Sequence, residues 1–329
     1  MSTDPRQSAL LQWLSSLPEI FPQDFHMISG DASFRRYFRF QSQGGSFIGV
    51  DAPPDKEKNH EFVALAREYR TNNVPVPQVL HSNMDLGFLM LQDFGDCLFS
   101  QRIETEDPTH WYQQALSHLP AVQKVRATAG EPLPAFDQEL LANEYSLFND
   151  WLLQTHLNLT LTDSEWKVIH EAQAFLSEVF LSQPQVGVHR DYHSRNLMIL
   201  PDDSIGIIDF QDAVTGPITY DAVSLLRDCY VVWPIEFVMG QLQELHVAHY
   251  AEHDWETFKH WFDCTGMQRH IKASGIFARL CHRDGKTGYL NDIPRTLQYL
   301  VTVGRTIQEC TEFAELVANK ILPAVEAKQ

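Results

Sequence analysis

Two short polar stretches have a composition that strands and loops alone do not explain. One reads His189-Arg190-Asp191-Tyr192-His193-Ser194-Arg195-Asn196, the other Asp209-Phe210-Gln211-Asp212. Between them lie the apolar runs Leu197-Met198-Ile199-Leu200 and Ile205-Gly206-Ile207-Ile208, separated by Pro201-Asp202-Asp203-Ser204. Short apolar runs flanking a turn of this kind predict a β-hairpin. Such a hairpin starts at Asn196 and ends at Asp209, so it sets the two side by side. An amide oxygen next to a carboxylate oxygen makes a pair of hard donors, suited to Mg²⁺ bridging phosphate oxygens. Asp191, five residues before Asn196, is a carboxylate of a different use: it can accept the proton of an attacking hydroxyl while a metal holds a phosphoryl donor. A lone Asp in a loop is usually a solvated residue. The joint pattern H-x-D-x-x-x-x-N, hairpin, D-F is what carries the chemical reading.

These residues need a framework on both sides. From Phe25 to Phe99 the pattern predicts short strands: Ser33 to Phe40, Ser46 to Val50, Gln78 to Leu80 and Gly87 to Leu91, with a Gly44-Gly45 turn. One helix is inserted, from about Lys58 to Arg70, where Phe62, Leu65, Ala66 and Tyr69 recur at helical spacing. A further amphipathic helix precedes the strands, marked by Ala9, Leu10, Trp13, Leu14 and Leu17. Beyond Ser100 helical periodicity takes over, over 111–125, 137–157, 163–181, 220–230, 236–250, 255–278 and 294–320. The fold class expected is therefore α+β in two lobes: a small, mostly antiparallel β lobe over residues 1–95 and a larger, mainly helical lobe over residues 96–329 that carries the hairpin. Gly95 marks the joint.

Composition narrows the partners. The 329 residues carry 25 Lys and Arg against 43 Asp and Glu, a formal charge of −18. So acidic a chain has no general basic face for nucleic acid, whose phosphates are neutralised by clustered Lys and Arg, and anionic membrane surfaces are disfavoured for the same reason. A local pocket can still oppose the global charge and take a small anion. Five scattered cysteines without a C-x-x-C pair suggest reduced thiols and a cytoplasmic protein. No apolar run reaches the length of a membrane span.

The polar stretches resemble the catalytic and metal loops of protein kinases, and more closely those of the aminoglycoside phosphotransferase/choline kinase family. Val188 to His193 with Asn196 is similar to that family's H-x-D-x-H-x-x-N loop, and Ile208-Asp209-Phe210-Gln211-Asp212-Ala213 to its I-D-F-x-x-A loop. The resemblance implies a bilobal protein-kinase-like fold, ATP and Mg²⁺ as cofactors, Asp191 as catalytic base, Asn196 and Asp209 as metal ligands, and His189 and Asp221 as structural residues. The short spacing from Asp209 to Asp221 and the lack of an A-P-E sequence disfavour a protein kinase. Within the family, Gly30-Asp31-Ala32-Ser33-Phe34-Arg35-Arg36-Tyr37-Phe38-Arg39, Asp51-Ala52-Pro53-Pro54 and Gly87 to Asp96 resemble the bacterial anomeric N-acetylmuramate/N-acetylglucosamine kinases of cell-wall recycling. That resemblance implies phosphorylation of a sugar C1 hydroxyl, with no obligate protein partner. Alternatives are another aminoglycoside, choline or homoserine-type hydroxyl kinase, or a catalytically idle kinase-like binding module.

One departure is plain: the usual strand lysine is missing, and Asp51 stands close to its place. Ser33 and Phe34 belong to the turn expected to cover phosphates. Arg35 or Arg36 either supplies the planar phosphate fork in the lysine's stead or solvates a strand face. Met90 is either a gate to an adenine pocket or a core residue, and Gln92 and Phe94 lie on the segment expected to meet the base edge. Glu61 stands where the family's first-lobe helix presents its Glu. For the acceptor, Glu144 and Trp151 are candidates on the helix 137–157. Arg269, Lys272, Arg279, Arg283 and Lys286 form a basic group, of which Arg279 and Arg283 are the candidates for reading a lactyl carboxylate; ordinary pairing with nearby acids is the other reading.

Overall fold

The structure, a computed structural model, describes residues 4–29 and 34–328. Ser33 thus lies outside the described residues. Contacts divide the chain into two compact units, Met1–Pro132 with Arg195–Asp212, and Leu133–Ser194 with Ala213–Gln329. This partition by contacts differs in two ways from the boundary expected at residue 95. The first unit runs on to residue 132, and it claims the hairpin. The reason is hydrogen bonding: Ile199 N donates to Cys97 O and Ile207 N to Pro75 O, both at 2.8 Å, and Leu98 bridges Met198.

In the first unit helix α1 (Pro5–Ser15) begins at Asp4, whose carboxylate accepts from Arg6 N and Gln7 N, with Pro5 at the first helical position. Strands β1 (Gln23–Ser29), β2 (Arg36–Ser42) and β3 (Gly45–Asp51) are followed by helix α2 (Asn59–Thr71), then β4 (Val79–Asn83) and β5 (Phe88–Gln92). The sheet order is β1-β2-β3-β5-β4 and every neighbouring pair is antiparallel. Register sets which face each side chain takes, because alternate residues of a strand point to opposite faces. Phe38, Phe40, Phe88 and Met90 share the face covered by Leu10 and Leu14 of α1, and form one buried cluster with them. Met90 is thus buried in the core under α1. The hairpin, Leu197–Ile199 paired with Ile205–Ile207, forms as its sequence predicts. Its Gly206 faces the Phe94 ring so closely that a Cβ would sit 2.6 Å from it.

The second unit is helical apart from a strand pair, Gln185–Val188 with Val214–Pro217, that the sequence pattern did not reveal. Helix Gln138–Ser146 runs on into a π-helical stretch, Leu147–His156. The long helix Trp255–Asp284 crosses that stretch at Gly275, where a Cβ would meet the Leu147 carbonyl carbon at 2.3 Å. The single helix expected over 294–320 is broken instead into Ile293–Gly304, Gln308–Cys310, Thr311–Leu316, Val317–Ile321 and Leu322–Glu326. Among the described residues no helix is long and apolar enough to cross a membrane.

Candidate active site

In the first unit, Asn196 and Asp209 meet at the open end of the hairpin. Ile208 N donates to Asn196 O at 3.0 Å, Asn196 Nδ2 to Asp209 Oδ2 at 3.2 Å, and Gln211 Nε2 to Asp209 Oδ1 at 2.8 Å. Asp209 has a φ of 64°, in the left-handed region that a non-glycine residue enters at a cost of about 1–3 kcal/mol. Phe210 anchors this turn. Its buried ring stacks on Phe62 at 4.9 Å and meets Tyr69 edge-on at 5.8 Å. Among the described residues no three or more His, Cys, Asp or Glu gather as a metal site. A cation here would have one carboxylate and one amide from the chain and take its remaining oxygens from a ligand and water. That shortfall fits Mg²⁺, which holds on to waters and phosphates rather than sitting in an all-protein cage.

Arg35, just before β2, and Arg36, its first residue, turn to different partners. Arg36 shares the α1 face with Phe38. Its Nε and Nη2 donate to Asp51 Oδ2 at 3.0 and 2.5 Å, and Asp4 takes its Nη1. Arg6 Nε donates to Asp51 Oδ1 at 2.7 Å. Asp51 is fully buried; it is the countercharge that ties α1 to the sheet. Arg35 takes other partners. It is 2% exposed, pairs with Glu57 at 3.2 Å and lies over the Phe62 ring at 4.7 Å. Glu57 also accepts from Phe34 N at 3.1 Å, while Glu61 is exposed. Burial pushes the Tyr37 phenol up, and both Arg35 and Asp209 act on it, so these three groups share one neighbourhood. Phe34 is largely exposed. Gln92 N donates to Gln78 O at 2.9 Å and its side chain is exposed; Phe94 is buried against the hairpin.

In the second unit the loop carrying Asp191 is held by carboxylates that face inward. Asp221 accepts from His189 N at 2.7 Å and Arg190 N at 3.1 Å. Burial pushes its carboxyl up to about 7, against the pull of those two amides. Asp228 accepts from Ser194 N and Oγ at 2.9 and 2.5 Å, and from Tyr230 N at 2.9 Å. Arg190, with a φ of 76°, reaches back to Glu144 at 2.8 Å. Lys272 meets the same Glu144 oxygen at 3.1 Å, and Gln268 Nε2 donates to the other at 2.8 Å. Glu144 is therefore buried as an anchor for cations. Burial raises the Asp191 carboxyl, but Lys272, His193, Arg269 and Arg190 outweigh it and hold it below the usual carboxylate value.

The other acceptor candidates stand apart from this cluster. Trp151 is half-buried on the π-helical stretch and makes no hydrogen bond or ring contact among the described residues. Arg283 is exposed and its guanidinium is held by Asp284 through two bonds, at 2.8 and 2.9 Å. Arg279 is half-buried, and both lie on the C-terminal part of the long helix, about 15 and 21 Å along the axis from Arg269 at 1.5 Å per residue. The basic group thus splits, and Arg269 and Lys272 alone of it act on Asp191. Arg190, Glu57 and Asp228 were not singled out from sequence. Only Glu57 had a local signal, as an acid just before α2.

These elements define a protein-kinase-like phosphotransferase. The structure is similar to that of an ethanolamine kinase from Plasmodium vivax, with a TM-score of 0.66 at 12% identity over 91% of this chain and 87% of that one. It is similar also to a choline kinase from Streptococcus pneumoniae, with a TM-score of 0.64 at 11% identity over 90% of this chain and 99% of the other. The chain belongs to the phosphotransferase enzyme family, which it matches over residues 24–259. It is 39% identical to the N-acetylmuramate/N-acetylglucosamine kinase of Pseudomonas aeruginosa, over 97% of this chain and 98% of that protein. A protein of the same name from Neisseria meningitidis is 37% identical over 96% of each.

Proposed function

We propose that the protein transfers the terminal phosphate of ATP to the anomeric hydroxyl of N-acetylmuramate and N-acetylglucosamine. The near-full-length similarity to kinases named for these two sugars carries the reading. The chemistry around Asp191 supports it. A carboxylate held below its usual range is a weak base. It suits a hemiacetal hydroxyl, which is a better acid than an ordinary alcohol, and it orients that hydroxyl as it takes the proton. Lys272, Arg269 and Arg190 favour the charged form of Asp191, which keeps it ready to accept a proton.

Asn196 and Asp209 would hold Mg²⁺, which when bound neutralises charge on the phosphoryl oxygens. Arg35, fixed by Glu57 and Phe62 near Asp209, is our candidate for the cation that replaces the strand lysine; Arg36 is committed to Asp51. The segment at Gln92 to Phe94 would meet the base edge. Phosphoryl transfer depends chiefly on positioning, so the inward-facing Asp221 and Asp228 contribute by fixing the loop. The test is transfer from Mg-ATP to both sugars, with NMR placing the phosphate at C1, and with the 1-O-methyl glycosides as controls. The glycosides should be inert, having no proton on the C1 oxygen. Phosphorylation of a methyl glycoside would overturn the anomeric assignment, and absence of any ATP turnover would favour the idle binding module.

A further inference from the structure

We propose that Arg269 is the specificity residue that reads the acceptor's carboxylate, binding the lactyl group that N-acetylmuramate carries and N-acetylglucosamine lacks. The inference rests on the acceptor class proposed above and goes further by assigning the discrimination to one side chain. Around Asp191 the described cations are accounted for unequally. Arg190 and Lys272 share Glu144 at 2.8 and 3.1 Å. Arg269 is in no ion pair with a described carboxylate; its one hydrogen bond runs to the Cys229 sulfur at 3.8 Å. Burial raises the Cys229 thiol, so that sulfur stays neutral and supplies no countercharge.

Neighbouring acids are already taken. Both Glu144 oxygens are engaged by Arg190, Lys272 and Gln268, Asp221 holds the loop amides, and Asp228 holds Ser194 and Tyr230. Arg269 is nonetheless 7% exposed, and its guanidinium acts electrostatically on Asp191. Asp228 and Asp191 favour its charge from beyond ion-pair distance, but no carboxylate meets its fork directly, and a guanidinium taken out of water is best served by a countercharge in contact. The arrangement is accounted for if the partner arrives with the substrate. Arginine's planar fork matches a carboxylate through two parallel bonds, and a sugar held with C1 at Asp191 offers its substituents to the same cluster.

The position on the helix supports this choice over Arg279 and Arg283. Gln268 and Lys272 are four residues apart, so both face Glu144, and Arg269 projects beside them from the same turn. The experiment compares kcat/KM for the two sugars in wild type, Arg269→Gln and Arg269→Lys. Loss of a charge near Asp191 lowers turnover of both acceptors. The proposal concerns the ratio: N-acetylmuramate over N-acetylglucosamine should fall about tenfold or more in Arg269→Gln, mostly through KM, and recover in part in Arg269→Lys. An unchanged ratio overturns the assignment. The wild-type enzyme supplies an arm that needs no variant: the lactyl amide of N-acetylmuramate should lose a similar factor relative to the acid, and equal use of acid and amide also overturns it. Wild-type protein that phosphorylates neither sugar sinks the acceptor class itself, a result distinct from either of these.

Discussion

The two units handle buried charge in opposite ways. Near the sheet of the first unit, Arg6, Arg35, Arg36 and Arg39 each meet a carboxylate of the same unit. In the second, around Asp191, three acids are committed to loop amides and cations, and Arg269 is left facing a neutral thiol. Of the first unit's pairs, the set of Arg6 and Arg36 on Asp51 ties helix to sheet and is complete without a ligand. The second arrangement fixes a loop from behind and leaves Arg269 with the Cys229 sulfur as its side-chain hydrogen-bond partner.

Removing the acid that acts should give the largest effect. Asp191→Asn is expected to lower kcat by about 10²- to 10⁴-fold, as general-base removal does, while ATP binding by calorimetry stays near wild type. A kcat within about threefold of wild type would place Asp191 among the structural acids and erase the contrast.

A smaller effect tests the different partners of Arg35 and Arg36. Arg35→Ala should raise the ATP KM and lower kcat, together about tenfold in kcat/KM, on the scale of a lost charge-assisted contact. Arg36→Ala should leave ATP kinetics alone and cost about 1–3 kcal/mol in denaturant unfolding, because the buried Asp51 keeps Arg6 but loses its other charged partner. Reversal of the two phenotypes would mean that Arg36, despite its place under α1, serves the nucleotide.

The smallest expected change is a displaced pH profile. Neighbouring cations hold Asp191 below its usual value, so the acid limb of kcat/KM should lie below the ordinary aspartate range. Lys272→Met removes the largest of those attractions, so the Asp191 pKa must rise and the acid limb must move to higher pH. A limb that stays put or moves lower would show that Lys272 acts only through Glu144.

What could be read from sequence was local. Asp191, Asn196 and Asp209 fall within one short stretch whose apolar runs and turn specify the hairpin, so neighbouring residues alone bring the last two together. Glu57 and Arg35 are joined across β2, β3 and the start of α2, and Glu144 meets Lys272 from a distant helix; no period in the chain encodes either pairing. Met90 alternates correctly for a strand, yet which face is core depends on α1 lying over it. The broken helix after residue 293 has apolar spacing throughout, but the chain turns after Gly304 to pack on itself, and periodicity is blind to that. Arg279 and Arg283 are near Arg269 in sequence, but they stand about 15 and 21 Å further along the same helix, a separation that the spacing of basic residues alone does not display.

The hairpin has a consequence for how the chain is made. It belongs by its hydrogen bonds to the first unit, yet it is synthesised only after the opening segment of the second. At about 5–20 residues per second, roughly 4 to 16 s separate the emergence of Pro132 from that of Asp212. Throughout that interval the nascent sheet lacks the strand partners of Pro75 and Cys97, and the Phe94 ring has no Gly206 to rest on. The first unit therefore cannot close before part of the second has left the ribosome, and a fragment ending at residue 132 would remain in that unfinished state.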